Sequence, residues 1–388
     1  MRGQSLVLNY YQPWVWAGSE RFTQLIDEEL RQGGQPTYVY VVDGGLESVR
    51  QAMVLEQRYS GLRLFRAQDG GTILTPESPS ARSLTDGKAI PFEQLLNHLR
   101  PKCARAHFPA DAFVKHFELV RAARIPFVYD IMDLWADFPA TPWGTDVVER
   151  WYLDSADAVT AVSKFLLEKH SLAVRGHLIP NAVDAEFLVQ LRPPDLRQPG
   201  RPRVLYMGGM AGWWFDWTIS VELPGLFPEA DFTFVGALEP PPEESAAQAG
   251  DGDIAAYVAE LESFSNCRVV AEVPHGDLVP YLRNVDIGLI PFQESELTRA
   301  VSPLKVFEYL GAGARVLQLG MPDIQGYPGV YTADCPTDFT RRVGDLLATA
   351  AEFAGQDELH QFATRNTWRQ RLDVFNTVLS RLEDSPLI

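Results

Sequence analysis

The residues best suited to do chemistry lie in one short segment, 302–313. Ser302 is a preferred N-cap type and Pro303 suits the first helical position, so the sequence predicts a helix that begins there. Lys305 then falls in the first turn, where the helix dipole is positive, and Glu308 follows one turn deeper. A diphosphate at the exposed amides would attract the ammonium, and Glu308 could accept hydrogen bonds from two neighbouring ribose hydroxyls. A Lys–Glu pair on a solvated helix explains the same spacing.

A second polar group follows a predicted strand, Phe127–Ile131. Asp130 and Asp133 stand where an α/β sheet places reactive groups, and we expect Asp130 to orient loop amides. Aspartates in such a loop also organise turns through side-chain to backbone hydrogen bonds, so a purely structural role stays open. His107 likewise ends a predicted strand, and it either positions the donor, shares in proton transfer or is a hydrogen-bonded structural histidine. His275 is interpreted as an ordinary helix or loop residue.

The elements around these residues alternate between short β-branched runs and amphipathic stretches, which is typical of βαβ units and parallel sheets. The pattern predicts an α/β protein with two doubly wound domains facing one another across a cleft, which is the expected ligand site. Four prolines in 191–202 predict a linker, because proline suits neither a helix interior nor a central strand. The predicted strands are 6–11, 38–42, 62–66, 104–108, 127–131, 158–162 and 177–179 in the first half, and 204–207, 232–235, 269–272, 287–291, 316–319 and 329–331 in the second.

Composition excludes several classes of protein. The 388 residues include 34 Lys and Arg against 51 Asp and Glu, a net charge of −17, and show no basic face that would bind nucleic acid. The three cysteines are far apart, which favours a reducing compartment over a disulfide framework or zinc site. No apolar run reaches the roughly 18–20 residues that span a bilayer, and the amino-terminal segment lacks the apolar core of a signal peptide. We therefore expect a cytoplasmic protein.

Several segments together resemble GT-B glycosyltransferases, and more narrowly the bacterial cell-surface polysaccharide enzymes of the teichuronic-acid type. The segments that carry the resemblance are 157–163, 179–184, 204–216, 284–317 and 368–371. The resemblance implies an acceptor-side domain at 1–190 and a donor domain at 203–365, both Rossmann-like. It also implies a carboxy-terminal helix, 366–388, that packs back on the first domain.

The resemblance further implies a nucleoside diphosphate sugar as donor substrate, with no separate cofactor. Lys305 would then bind the diphosphate and Glu308 the ribose, while Gly208 and Gly209 would let the backbone approach the donor. Arg299 is either a second cation for the diphosphate or a surface arginine. The full set of predicted donor-binding residues is Gly208, Gly209, Arg299, Ser302, Pro303, Leu304, Lys305 and Glu308.

Two departures leave the stereochemical outcome open. Ala300 stands where related retaining enzymes often carry a second glutamate, and Gly209 stands where they often carry an arginine. Asp216, in the segment that resembles the opening of the donor domain, either braces its helix or reaches the donor.

The chemistry and the acceptor are predicted from the first half. Asp133 matches the second aspartate of the family's Tyr-Asp-x-x-Asp segment and is the expected base, with His107 as a second catalytic candidate. Trp14 and Trp16 are expected to bind a glycan or lipid-linked acceptor, with peripheral contact at the inner membrane face as an option. No Asp-x-Asp cluster is placed to hold a metal, so we expect metal-independent transfer. The alternatives are a nucleotide-sugar epimerase of the same fold and a non-catalytic sugar-nucleotide-binding protein.

Overall fold

The computed structural model describes residues 4–11, 20–42, 61–68, 79–84, 86–137, 146–191, 200–239 and 254–383. These residues form two compact units. The first unit contains the described residues up to Ala136, those within 141–180 and those from Arg371 onward. The second contains the described residues from Asn181 to Gln370. Each unit has its own sheet.

The first unit is built on a sheet of nine strands. The strands are β1 (Gln4–Tyr11), β2 (Gln35–Val42), β3 (Arg63–Gln68), β4 (Ser80–Ser83), β5 (Ala89–Pro91), β6 (Cys103–Ala106), β7 (Phe127–Ile131), β8 (Ala158–Ala161) and β9 (His177–Leu178). The helices of this part of the chain are α1 (Arg21–Arg31), α2 (Phe92–Leu99), α3 (Val114–Ala122), α4 (Asp146–Ser155) and α5 (Lys164–Lys169).

The order of these strands is β5-β4-β3-β2-β1-β6-β7-β8-β9. Because β1 pairs in parallel with both β2 and β6, the direction of winding reverses between β1 and β6. Ligands of doubly wound sheets bind at such a reversal, beyond the carboxyl ends of the strands. His107 directly follows β6 and therefore lies at this edge.

The second unit has six parallel strands in the order β12-β11-β10-β13-β14-β15. They are β10 (Arg203–Met207), β11 (Asp231–Val235), β12 (Cys267–Val270), β13 (Ile287–Ile290), β14 (Arg315–Leu319) and β15 (Val330–Ala333). The helices from residue 181 onward are α6 (Ala185–Gln190), α7 (Trp217–Leu226), α8 (Ile254–Ser263), α9 (Val279–Leu282), α10 (Glu296–Ala300), α11 (Leu304–Gly311), α12 (Pro336–Ala348), α13 (Gln356–Thr364) and α14 (Trp368–Glu383). The winding reverses between β10 and β13.

The fold class predicted from the sequence is confirmed: each unit is a doubly wound α/β structure. The parallel strands were predictable because β7, β13 and β14 are buried along their whole length. The carboxy-terminal helix α14 places Phe375 and Val378 in the apolar core of the first unit.

Two expectations about the chain's organisation differ from the structure. The short antiparallel strands β4 and β5 were missed, because four and three residues are too few to show an alternation signal. The units divide at Pro180 rather than at 190, since α6 packs Phe187 and Leu188 into the core of the second unit. Most of the proline-rich linker, 192–199, lies outside the described residues.

Candidate donor site and buried acid network

A tyrosine of α11 separates the two strands at which the second sheet reverses its winding. β10 and β13 are paired at Val204 and Leu205, and farther along the backbone N–H of Met207 donates instead to Tyr309 Oη at 3.0 Å. The ring occupies the space above Gly288, where any Cβ would lie 2.3 Å from Tyr309 Cγ. Tyr309 therefore fixes α11 against the edge where a ligand is expected.

Lys305 projects from the first turn of α11 into an aromatic pocket. Its Nζ lies 4.5 Å from the ring centre of Tyr206, 4.9 Å from that of Phe292 and 3.4 Å from Tyr206 Oη. Within the described part of the chain, no carboxylate oxygen lies within 4.0 Å of this nitrogen. Burial lowers the pKa of Lys305 to about 7, although the charge of Glu308 acts in the opposite direction. The ammonium is thus held by ring faces and has no anionic partner.

The two glycines after β10 have different environments. Gly208 has φ +130°, and a Cβ there would lie 2.5 Å from Lys305 Nζ. Gly209 would place a Cβ in open space, and its carbonyl accepts a hydrogen bond from Tyr206 Oη at 2.7 Å. Gly208 is therefore required by its own backbone conformation, and a Cβ there would also displace the end of the Lys305 side chain, whereas the space beside Gly209 is available to a ligand.

The start of α11 differs from the prediction. The helix begins at Leu304 with Pro303 at the N-cap position, and no side chain caps it. Ser302 was the expected cap, but its Oγ accepts the backbone N–H of Asn181 at 3.1 Å, while its carbonyl accepts the Asn181 side-chain amide at 2.7 Å. Ser302 therefore anchors the loop that precedes α11. The first amides of the helix keep no side-chain acceptor, which suits an incoming anion.

Glu308 is buried, so a Lys–Glu pair on a solvated helix is excluded. Its Oε1 lies 2.6 Å from Nε2 of His275. The sequence, which gave His275 as an ordinary helix or loop residue, did not predict this contact. His275 begins a short 3₁₀ helix, His275–Leu278, that follows β12, and its position after a strand was the only signal that the sequence offered.

Two other predicted residues of this unit are exposed or structural. Arg299 is an exposed residue of α10, and its role toward a diphosphate stays a prediction. Asp216 caps α7, because its Oδ1 accepts the backbone N–H of Ile219 at 3.0 Å, which confirms the bracing role. Ala300, at the position of the missing glutamate, is fully buried.

In the first unit, Asp130 is the centre of a buried polar network. It accepts two hydrogen bonds from Arg21, at 2.7 and 3.0 Å, and one from Thr160 Oγ1. His107 Nδ1 lies 2.9 Å from Asp130 Oδ2. Burial alone would raise the pKa of Asp130, but the guanidinium of Arg21 and the contact with His107 hold it well below its usual range. The sequence predicted that Asp130 would orient loop amides. The structure differs, because the oxygens of Asp130 are occupied by this network.

The structure describes both catalytic candidates but neither of the acceptor candidates. His107 is fully buried, so it lies behind the surface and could act there only in support of another group. Burial also lowers its pKa. Asp133 is half-buried in the loop after β7, and its Oδ1 accepts the backbone N–H of Leu134 at 3.0 Å. Its role as a base stays a prediction. Trp14 and Trp16 lie outside the described residues.

The fold places this chain in a known class of structures. A glycosyltransferase from Rickettsia africae superposes with a TM-score of 0.70 at 11% identity, with all of both chains covered. HepE of Anabaena, in complex with UDP, superposes with a TM-score of 0.67 at 14% identity, over 98% of this chain and 100% of that one. The chain has the GT-B fold of these glycosyltransferases.

One curated protein is related in sequence. The "Putative teichuronic acid biosynthesis glycosyltransferase TuaH" of Bacillus subtilis is 27% identical over 267 residues, and the match covers 62% of this chain and 62% of that protein. The resemblance seen in the sequence motifs is thereby confirmed. No family model matches the chain. Among the described residues, no helix combines the length and the apolar character that a bilayer crossing requires.

Proposed function

We propose that this protein is a glycosyltransferase that moves a sugar from a nucleoside diphosphate sugar to a hydroxyl acceptor. The observation that carries the proposal is the position of Lys305 at the uncapped start of α11. A half-buried amine with a pKa near 7 gains most from a ligand that supplies negative charge. The diphosphate of a sugar nucleotide is such a ligand, and the sheet reverses its winding beside this helix.

The donor is proposed to bind along α11. Its diphosphate would meet Lys305 and the backbone N–H groups of the first turn, which begins at Leu304 beside Ser302 and Pro303, while Arg299 supplies a second cation from α10. Gly209 leaves room for the backbone to approach the donor. Glu308 would accept the ribose hydroxyls, and UDP is the nucleotide bound in the HepE structure.

The proposed chemistry needs stabilisation of the leaving group and a base for the acceptor. Helix dipole and ammonium together would offset the charge that develops on the leaving diphosphate, without a metal ion. Among the described residues, no three His, Cys, Asp or Glu side chains lie together in a manner suited to a metal. Asp133 is proposed as the base, and His107 as a group that supports proton transfer from behind it.

The acceptor is proposed to be a glycan or a lipid-linked hydroxyl, bound by Trp14 and Trp16. This assignment follows the role in teichuronic acid biosynthesis that is named for the B. subtilis relative. We propose that the enzyme works in the cytoplasm, at the inner face of the membrane, and that it needs no separate cofactor and no nucleic acid.

The donor site can be tested by calorimetry with UDP, GDP and ADP. Lys305→Ala and Glu308→Ala should each weaken binding by about 1–3 kcal/mol, because each removes charged hydrogen bonds. Lys164→Ala, at an exposed position on α5, is the matched control and should leave binding unchanged. Unchanged affinity in both site variants would refute the site.

Turnover distinguishes transfer from its alternatives. Nucleotide release from a bound UDP-sugar or GDP-sugar that depends on an added glycan or lipid-linked acceptor supports a transferase. Conversion of the donor without an acceptor would identify an epimerase instead. Binding without turnover across such a panel would identify a sugar-nucleotide-binding protein.

A further inference from the structure

Glu308 is held by a histidine that has no part in the proposed chemistry. A carboxylate can only accept hydrogen bonds, so at 2.6 Å from Glu308 Oε1 the Nε2 of His275 must carry a hydrogen and donate it. The two residues come from different elements, since Glu308 lies on α11 and His275 begins the 3₁₀ helix after β12. The contact therefore depends on the tertiary fold.

The histidine is itself fixed in place. Its ring stacks on Phe187 of α6, with ring centres 4.2 Å apart and planes 26° apart. Asp184, the N-cap residue of α6, adds a carboxylate near the ring. Against the effect of burial, the hydrogen bond and charge of Glu308, together with Asp184, raise the pKa of His275. His275 thus stays a hydrogen-bond donor to Glu308.

The two oxygens of Glu308 are consequently unequal. Oε1 is occupied by His275, whereas Oε2 accepts no hydrogen bond from any described residue. The side chain also lies one turn from Lys305, and its charge opposes the lowering of the Lys305 pKa by burial. A glutamate released from His275 would lose the contact that fixes Oε1 and leaves Oε2 available.

We propose that His275 is a positioning residue for nucleotide recognition: it binds one oxygen of Glu308 and leaves the other to accept ribose hydroxyls. The proposal rests on the proposed function, in which Glu308 contacts the ribose. It assigns to His275 the preference for ribonucleotides over 2′-deoxyribonucleotides, a property that the diphosphate contacts do not supply.

The test compares two variants with the unmodified protein. His275→Phe keeps a ring to stack on Phe187 but removes the donor, and His275→Gln keeps an amide donor. Calorimetry would measure the affinities of UDP, GDP and ADP, each beside its 2′-deoxy counterpart, and of inorganic pyrophosphate. We expect His275→Phe to weaken the preferred ribonucleotide about five- to tenfold, and to change its deoxy counterpart and pyrophosphate less than twofold. His275→Gln should recover part of the ribose preference.

The outcomes separate this proposal from the one on which it rests. A ribose preference that is unchanged in both variants would overturn the positioning role while leaving the donor site intact. If the unmodified protein binds neither nucleotides nor pyrophosphate, the proposed function itself fails, and the role of His275 fails with it. Should His275→Phe not fold, as judged by its thermal unfolding, His275→Ala replaces it in the same comparison: an unchanged ribose preference would overturn the positioning role, and a lost preference with pyrophosphate binding retained would support it.

Discussion

Tyr309 Oη accepts the backbone N–H of Met207 at 3.0 Å, so a helix side chain takes the position of a strand partner at the reversal of the second sheet. The same helix carries Lys305 one turn before Tyr309 and Glu308 directly before it. The edge of the sheet therefore positions Lys305, because the hydrogen bond from Met207 and the packing of the Tyr309 ring over Gly288 fix the helix. The predictions below follow from this arrangement and from the buried acids of the first unit.

Tyr309→Phe should lower the free energy of unfolding by about 1–3 kcal/mol, because the buried amide of Met207 loses its acceptor. Urea unfolding followed by circular dichroism would measure the change. Tyr331→Phe, which alters an exposed tyrosine of β15, is the control and should have little effect. Equal stability of the two variants would contradict the structural role of the hydroxyl.

Binding of a nucleoside diphosphate should weaken as the pH rises above 7. Lys305 has a pKa of about 7 in the unliganded protein, so at pH 8 it is mostly neutral and must take up a proton when the anion binds. Calorimetry at pH 8 in two buffers with different ionisation enthalpies would reveal this uptake. Lys305→Ala should abolish it, and an uptake that persists in this variant would assign the proton to another group.

The two glycines after β10 should respond differently to alanine. Gly208→Ala should destabilise the fold and displace the lysine, because its Cβ would lie 2.5 Å from Lys305 Nζ at a φ of +130°. Gly209→Ala should fold normally, since its Cβ meets open space, but should weaken UDP binding if the donor occupies that space. Thermal unfolding and calorimetry on both variants check this contrast, which fails if Gly208→Ala melts like the unmodified protein.

Asp133→Asn and Asp130→Asn should separate catalysis from architecture. Asp133→Asn should preserve donor binding and stability but abolish turnover, because an amide cannot act as a base. Asp130→Asn should reduce the free energy of unfolding by about 3–5 kcal/mol, since it leaves the buried guanidinium of Arg21 without its counter-charge. Full activity of Asp133→Asn would reassign the base, and an unaltered melting curve for Asp130→Asn would argue against the network.

Glu149→Gln should stabilise the protein at pH 8 and have less effect at pH 5. Burial raises the pKa of Glu149 to about 7, although the hydrogen bond from Tyr129 Oη opposes the shift. When the pKa of a buried acid is raised in the folded state, the protein becomes less stable as the pH rises from the pKa of the unfolded chain toward 7. The neutral amide of Gln avoids this loss, so we expect the free energy of unfolding to be about 1–3 kcal/mol higher above that range. Melting temperatures at both pH values would measure it, with the exposed Glu118→Gln as control.

The sequence predicted the parts of the site that are local in the chain. The helix that carries Lys305 and Glu308 was predicted from its start signals, and the resemblance pointed to these two residues and to Gly208, whose roles toward the donor stay predictions. The sequence did not predict that Ser302 Oγ would accept the backbone N–H of Asn181, because no periodicity relates residues so far apart in the chain. His275 was missed for the same reason, since its role exists only once β12 and α11 are packed. Asp130 was misassigned because Arg21, its main partner, lies on a distant helix.

Lys305 is the sole lysine from residue 170 to the carboxy terminus. An amine with a near-neutral pKa is the most nucleophilic lysine at mild pH, so an acylating reagent should tag a single nitrogen in this half of the polypeptide. A bound diphosphate would shield that nitrogen and favour its protonated form, with the proton taken up from solvent. The proposed donor pocket thus carries its own chemical reporter, and the extent of tagging in one tryptic peptide would measure its occupancy.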